Sequence, residues 1–124
     1  MAFDINNVNL VGGVTRDPEL RMTGNGTPVL QLGVAVNHSR KVDGEWVDEP
    51  NFIDVTCFGD LANNVAESIE KGNRVAISGR LSYRTWEEKD TGAKRSKLEV
   101  IAASIAPDLS RATAEVTKVK REDG

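Results

Sequence analysis

One helical pattern stands alone among five runs of alternating residues. That ratio narrows the possible folds more than any other feature of the chain. The helical segment is DLANNVAESIEKG, which begins at Asp60; Leu61, Val65 and Ile69 recur at four-residue spacing. Such spacing lines one face of an α-helix with apolar groups. Asp60 is expected as the N-cap and Gly72 as the C-terminal stop. The alternating runs are VNLVGGV at 8–14, VLQLGVAVN at 29–37, NFIDVTCF at 51–58, a long run from about residue 74 to 86, and its partner from about 95 to 105. Alternation sends every second side chain to the same side of a strand.

A parallel α/β fold needs a crossover helix for most strand pairs, and here one helix lies between the third and fourth strands. The order strand, strand, strand, helix, strand, strand fits an all-β OB-fold, a five-stranded Greek-key barrel. The paired Gly12 and Gly13 predict a bend or a close backbone approach in the first strand. Val75, Ile77, Leu81 and Tyr83 are the expected core face of the fourth strand. TRDPELRMTGNGT and HSRKVDGEWVDEP read as loops, and Asp90-Thr91-Gly92 as the turn between the last two strands.

The 124 residues suit one domain. The domain is expected over 1–109, followed by a mixed-charge tail over 110–124. No apolar run approaches the roughly 18 residues of a membrane span. The opening MAFDINNVNLVGG lacks the basic and long apolar regions of a signal peptide, so a cytoplasmic location is expected. A single cysteine, Cys57, and a single histidine, His38, are too few for a Cys/His metal site or a nucleophile–base set. Cys57 alternates with Ile53 and Val55 and reads as a reduced core thiol; a link to another subunit is the alternative. No Walker-type phosphate loop is present. The residues point away from an enzyme, and no cofactor is expected.

The net charge is −3, but its distribution is uneven. Eight acids and no bases fall between Val42 and Glu70, whereas eight bases and three acids fall between Lys71 and Lys97. Part of the surface is therefore expected to be strongly positive. Within that basic half, Arg80, Ser82, Arg84 and Trp86 share one strand face. Phe52 and Phe58 share the non-core face of the third strand. Rings outside a core lose stabilisation unless something covers them, and an unpaired nucleobase offers a flat π face. Arg80 and Arg84 could then meet phosphates, with Lys94, Arg95 and Lys97 extending the charge along the hairpin. Duplex DNA hides its base faces, and the helix carries acids rather than a basic recognition pattern. The rival reading is an OB-type protein-interaction module that uses the same face, with the three rings buried between subunits.

These residues, in this order, resemble the bacterial single-stranded DNA-binding protein family over roughly residues 5 to 109. VNLVGGVTRDPELR resembles the family's opening strand and loop. NFIDVTCFGDLANNVAESIEKGNRVAISGRL resembles its third strand, helix and fourth strand, and RTWEEKDTGAKRSKLEV its last hairpin. The resemblance implies a non-enzymatic protein that coats single-stranded DNA in replication, repair and recombination. It implies base stacking on Phe52, Phe58 and Trp86, and a further stacking position near Arg40. Arg40 could offer a planar guanidinium, and Trp46 in the adjacent loop is the alternative. A homotetramer is implied, with a dimer contact along the first strand at Asn7, Asn9 and Val11. Family members commonly carry an acidic, phenylalanine-containing tail tip that recruits other proteins. This chain ends KVKREDG, so recruitment by that route is not expected.

Overall fold

The computed structural model describes residues 3–120. Among them lie six strands and one helix: β1 (Val8–Val14), β2 (Glu19–Met22), β3 (Pro28–Val42), β4 (Glu45–Phe58), α1 (Asp60–Ser68), β5 (Arg74–Glu87) and β6 (Lys94–Pro107). The sheet order is β1-β5-β6-β4-β3-β2, and β1 also pairs with β3. That extra pairing closes a five-stranded barrel, the OB architecture expected from the element order, with β2 added on the edge of β3. Closure is made by β1 itself. Val8–Gly13 pair with β5, and Gly13 and Val14 pair with Ala35 and Val34 of β3. A Cβ on Gly12 would collide with the Ala35 carbonyl oxygen, so only glycine lets the two backbones meet there.

The inward-facing alternation of the strands fills the barrel. Val14, Leu30, Leu32, Val34, Val55, Val75, Ile77 and Val100 are buried, and Cys57 is sealed among them. Burial pushes the Cys57 thiol up to about 11, so it stays protonated and inert near neutrality. α1 adds Ala62 and Val65 to the same core, and Ile69, just past its end, joins them; the helix packs against β2, β3, β4 and β6. Of the stripe expected from the four-residue spacing, Val65 is buried and Leu61 only partly so, while Ile69 reaches the core from beyond the helix end.

Several local expectations are corrected. Gly59, with φ of 70°, occupies the N-cap; Asp60 stands in the first helical turn and makes no side-chain cap. The carboxylate is still favourably placed there, near the positive end of the helix dipole. The helix ends at Ser68, with Ile69 already extended, and Gly72 at φ 93° serves the turn into β5. The segment read as the loop TRDPELRMTGNGT contains β2, which pairs residue by residue with Pro28–Gln31 of β3.

The larger correction concerns HSRKVDGEWVDEP. It is not a loop but the far half of a long hairpin. β3 and β4 remain paired from Val29↔Phe58 to Val42↔Glu45. Asp43 and Gly44 make the two-residue turn, both with positive φ (50° and 83°), the geometry an Asp-Gly pair favours. A second hairpin extends β5 and β6 to Glu87↔Lys94, around the predicted Asp90-Thr91-Gly92 turn.

Leu81 and Tyr83, expected in the core, are exposed. The barrel ends before them. The register shifts at Ser78/Gly79, leaving Ala103 as the extra residue on β6. A bulge of this kind bends the strand pair away from its former course. A Cβ on Gly79 would collide with the Ile101 carbonyl oxygen. The Asn6 side chain then grips the arm's root: its Oδ1 accepts from the Leu81 N–H at 2.8 Å and its Nδ2 donates to the Leu81 carbonyl at 2.7 Å.

After β6 the chain turns at Asp108, whose carboxylate accepts from the Ser110 N–H and hydroxyl and pairs with Arg74 at 2.8 Å. Those hydrogen bonds, the Ser110 backbone first, hold its carboxyl below the usual range. Residues 111–120 belong to no helix or strand. The last four residues of the expected tail, 121–124, lie outside the described residues.

Candidate nucleic-acid interface

Strand pairing fixes which side chains share the outer face. Val55 and Val100 sit opposite one another and point into the core; Thr56 and Ile101 are the next pair and point out. From there the alternation runs in both directions. β4 presents Phe52, Asp54, Thr56 and Phe58. β6 presents Arg95, Lys97, Glu99 and Ile101. β5 presents Trp86, Arg84, Ser82 and Arg80, the direct partners of those four β6 residues. β6 lies between β4 and β5 in the sheet. Polar and ionic side chains of β6 are thus flanked by phenylalanines on one side and a tryptophan on the other.

The rings are open to solvent. Phe52 is 74% exposed, Phe58 48% and Trp86 43%. Phe52 and Phe58 are six residues apart, about 20 Å along a strand at ~3.3 Å per residue. The Arg84 guanidinium lies over the Trp86 ring, with Cζ 5.1 Å from the centroid, within cation–π range. Trp86 and Arg95 also border an open groove along the arm whose other lining residues, Tyr83, Thr85, Glu87, Lys94 and Ser96, belong to the opposite side.

The basic residues are less free than the sequence suggests. Arg84 Nε lies 3.5 Å from Glu99, and Lys97 Nζ lies 3.8 Å from Glu99 and 3.6 Å from Asp54. Arg95 pairs with Glu88 at 3.0 Å. Hydrogen bonds from Arg95 and then Thr91 hold the Glu88 carboxyl below its ordinary value. Arg80 makes no ion pair among the described residues.

Seven of the nine expected site residues share this outer face: Phe52, Phe58, Trp86, Arg80, Arg84, Arg95 and Lys97. Two do not. Lys94 pairs with Glu87 and follows the alternation of Ser96 and Leu98, on the opposite side of the arm. Arg40 alternates with His38 and Val42 and is tied to Glu49 at 2.6 Å, on the side of the hairpin that continues the core face.

Trp46 takes the other side. It is paired with Lys41 and follows Phe58, Phe52, Pro50 and Asp48 along one face of β4; it is 71% exposed. Reading NFIDVTCF as the whole strand concealed this. The signal was present: Trp46, Phe52 and Phe58 stand at equal intervals of six, an even number that keeps all three on one face. Glu99 was also missed, because a lone acid in an apolar run gives no sign of its partners.

The single-strand binding protein family model matches residues 5–108. The single-stranded DNA-binding protein of Borreliella burgdorferi is 37% identical over 102 residues, covering 82% of this chain and 68% of that protein. The crystal structure of a deletion mutant of the single-stranded DNA binding protein from Thermus aquaticus superposes with a TM-score of 0.75 at 33% identity, over 86% of this chain; the chain spans about half, 52%, of that one. The small single-stranded DNA-binding protein from Streptomyces coelicolor gives a TM-score of 0.70 at 30% identity, over 90% of this chain and 100% of that one. With a family match that spans every strand and the helix, and a relative 37% identical over 82% of its length, the chain belongs to the single-strand binding protein family.

Proposed function

We propose that this protein binds single-stranded DNA with little base preference and protects it during replication, repair and recombination, without enzymatic action on it. The single observation that carries this reading is the set of outward rings, Phe52, Phe58 and Trp86, on one polar face of the sheet formed by β4, β6 and β5. A buried apolar core stands on the opposite side of the same strands. Those rings lie outside the buried core cluster, and their exposure suits a flat, unpaired partner. Stacking supplies about 1–3 kcal/mol per base whatever the base. Arg80, Arg84, Arg95 and Lys97 give the backbone cations to follow, and Trp46 continues the row onto the β3–β4 arm. Arg40 and Lys94, on the opposite sides of their arms, are proposed to meet only DNA that crosses an arm's edge.

In this reading residues 1–109 form the binding domain and 110–124 a tail. Asn9 and Val11 of β1, with Asn7 just before it, make a subunit contact within a homotetramer around which DNA winds. A cytoplasmic, nucleoid-associated protein fits such a task.

The test is a tryptophan fluorescence titration with oligo(dT) at low salt, repeated as salt rises. Quenching, and binding that weakens with a log–log slope near −0.7 per phosphate neutralised, is the expected result. No quenching and no binding at low salt, with the rings protected by self-association instead, would assign the face to protein contact.

A further inference from the structure

Across the middle of the ring-bearing face runs an unbroken row of opposite charges. It starts in the loop after β1, where the Arg16 guanidinium lies over Gly33, a position at which any Cβ would strike it. Arg16 Nη2 is 3.6 Å from Asp54 Oδ1, and Asp54 Oδ2 is 3.6 Å from Lys97 Nζ. Lys97 Nζ is 3.8 Å from Glu99 Oε2, and Glu99 Oε1 is 3.5 Å from Arg84 Nε. Arg84 then covers Trp86. The row crosses β4, β6 and β5 in turn, passing between Phe52 and Phe58. Three cations and two carboxylates alternate along it, leaving one net positive charge.

Glu99 is the unusual member. It is only 6% exposed, one of two buried polar side chains among the described residues, and the Thr56 hydroxyl donates to its Oε2 at 2.9 Å. Carboxylates are rarely buried unless paired, and this one is pinned by a hydrogen bond besides its cations. It cannot swing aside when another anion arrives. A carboxylate presents to a guanidinium the same kind of charged oxygen pair that a phosphate does.

We infer that Glu99 and Asp54 are built-in competitors for phosphate: they occupy the seats on Arg16, Lys97 and Arg84 that a DNA backbone would take, and so cap the electrostatic part of binding. This rests on the single-strand reading above. The centre of the surface then neutralises fewer phosphates than its cations suggest, and the rings carry a larger share of the affinity.

The experiment compares salt dependence of oligo(dT) binding in the full chain and in three variants. Glu99→Gln keeps the side-chain shape and the acceptor for Thr56 but removes the charge. It is expected to steepen the log–log slope by about 0.7 per phosphate gained, which is about a five-fold greater loss of affinity over a tenfold rise in salt. Asp54→Asn sits at a half-exposed position that tolerates change and is expected to shift the slope in the same direction. Thr56→Val removes the hydrogen bond that pins Glu99 while its charge stays, and is expected to lower the melting temperature and to steepen the slope by less than Glu99→Gln does. Wild-type slopes in both Glu99→Gln and Asp54→Asn, or a Thr56→Val slope change as large as theirs, would overturn the inference while leaving single-strand binding intact. Failure of the unmodified chain to bind oligo(dT) at all would remove the reading beneath it as well.

Discussion

The barrel and the two hairpin arms that run on from it share the same strands but are held in different ways. In the barrel, β3 and β4 pair through Leu30↔Cys57, Leu32↔Val55 and Val34↔Ile53, and each pair buries apolar surface that its neighbours also bury. In the β3–β4 arm the ladder continues, yet almost every residue from Asn37 to Asp48 is exposed. What holds it is backbone hydrogen bonding, the Asp43-Gly44 turn, Ser39 donating to Asp48 at 2.6 Å and the Arg40–Glu49 pair. Exposed pairs of this sort are worth little, about 0–1 kcal/mol each. The contrast separates stability from binding. The barrel can lose no packing without cost, while the arms can change side chains freely and so are available for a ligand.

The sharpest way to break that division is in the core. Leu32 has no exposed surface and belongs to the core cluster that Ala62 and Val65 of the helix also join. Leu32→Ala is expected to cost about 2–5 kcal/mol, seen as a lower denaturant midpoint. The intrinsic affinity of the remaining folded fraction for oligo(dT) should hardly change. A midpoint shift under about 1 kcal/mol would mean that the barrel relaxes into the cavity, and the contrast with the arms would be weaker than drawn.

Trp86 tests the other side. It lies on the β5–β6 arm beyond the bulge, its ring resting on Arg84 rather than on the core. Trp86→Ala is expected to weaken oligonucleotide binding by about 1–3 kcal/mol while the thermal midpoint moves little. Calorimetry and a titration on the same sample decide it. A variant that melts markedly earlier and also loses its oligomer would make Trp86 a structural residue.

The same division explains what could be read from sequence. Inside the barrel one face must be apolar, so alternation marks the strands: Val8–Val14 agrees with the structure to the residue. The rings at Phe52, Phe58 and Trp86 were legible because each broke the polar run on the face away from that core. The arm at 37–50 was not, because a strand exposed on both sides has no reason to alternate. Its one local signal, Asp43-Gly44, was lost among the surrounding charges. Leu81 and Tyr83 were misplaced for the converse reason: alternation persists along β5 after the barrel stops, and nothing at Gly79 announces the bulge that ends it. The tie between Thr56 and Glu99 joins positions 43 apart in sequence, which no periodicity reports.

The smallest expected effect belongs to Trp46, at the tip of the β3–β4 arm. As an exposed residue it should matter little to folding: Trp46→Ala is expected to change stability by less than about 0.5 kcal/mol. Its place in the row with Phe52 and Phe58 nonetheless gives a signature that a merely solvated side chain lacks. The chain has two tryptophans, so Trp86→Phe leaves Trp46 as the only indole reporter. Phe52 and Trp46 are about 20 Å apart along β4 at ~3.3 Å per residue. A short oligonucleotide seated on the barrel should therefore leave Trp46 fluorescence unchanged, and only a longer one, reaching the arm, should quench it. Quenching by both lengths alike would place the short strand on the arm rather than on the barrel, and quenching by neither would end the aromatic row at Phe52. The length at which Trp46 first responds would measure how far along the arm the strand is held, and with it how much of the binding surface lies outside the part of the molecule that keeps the fold together.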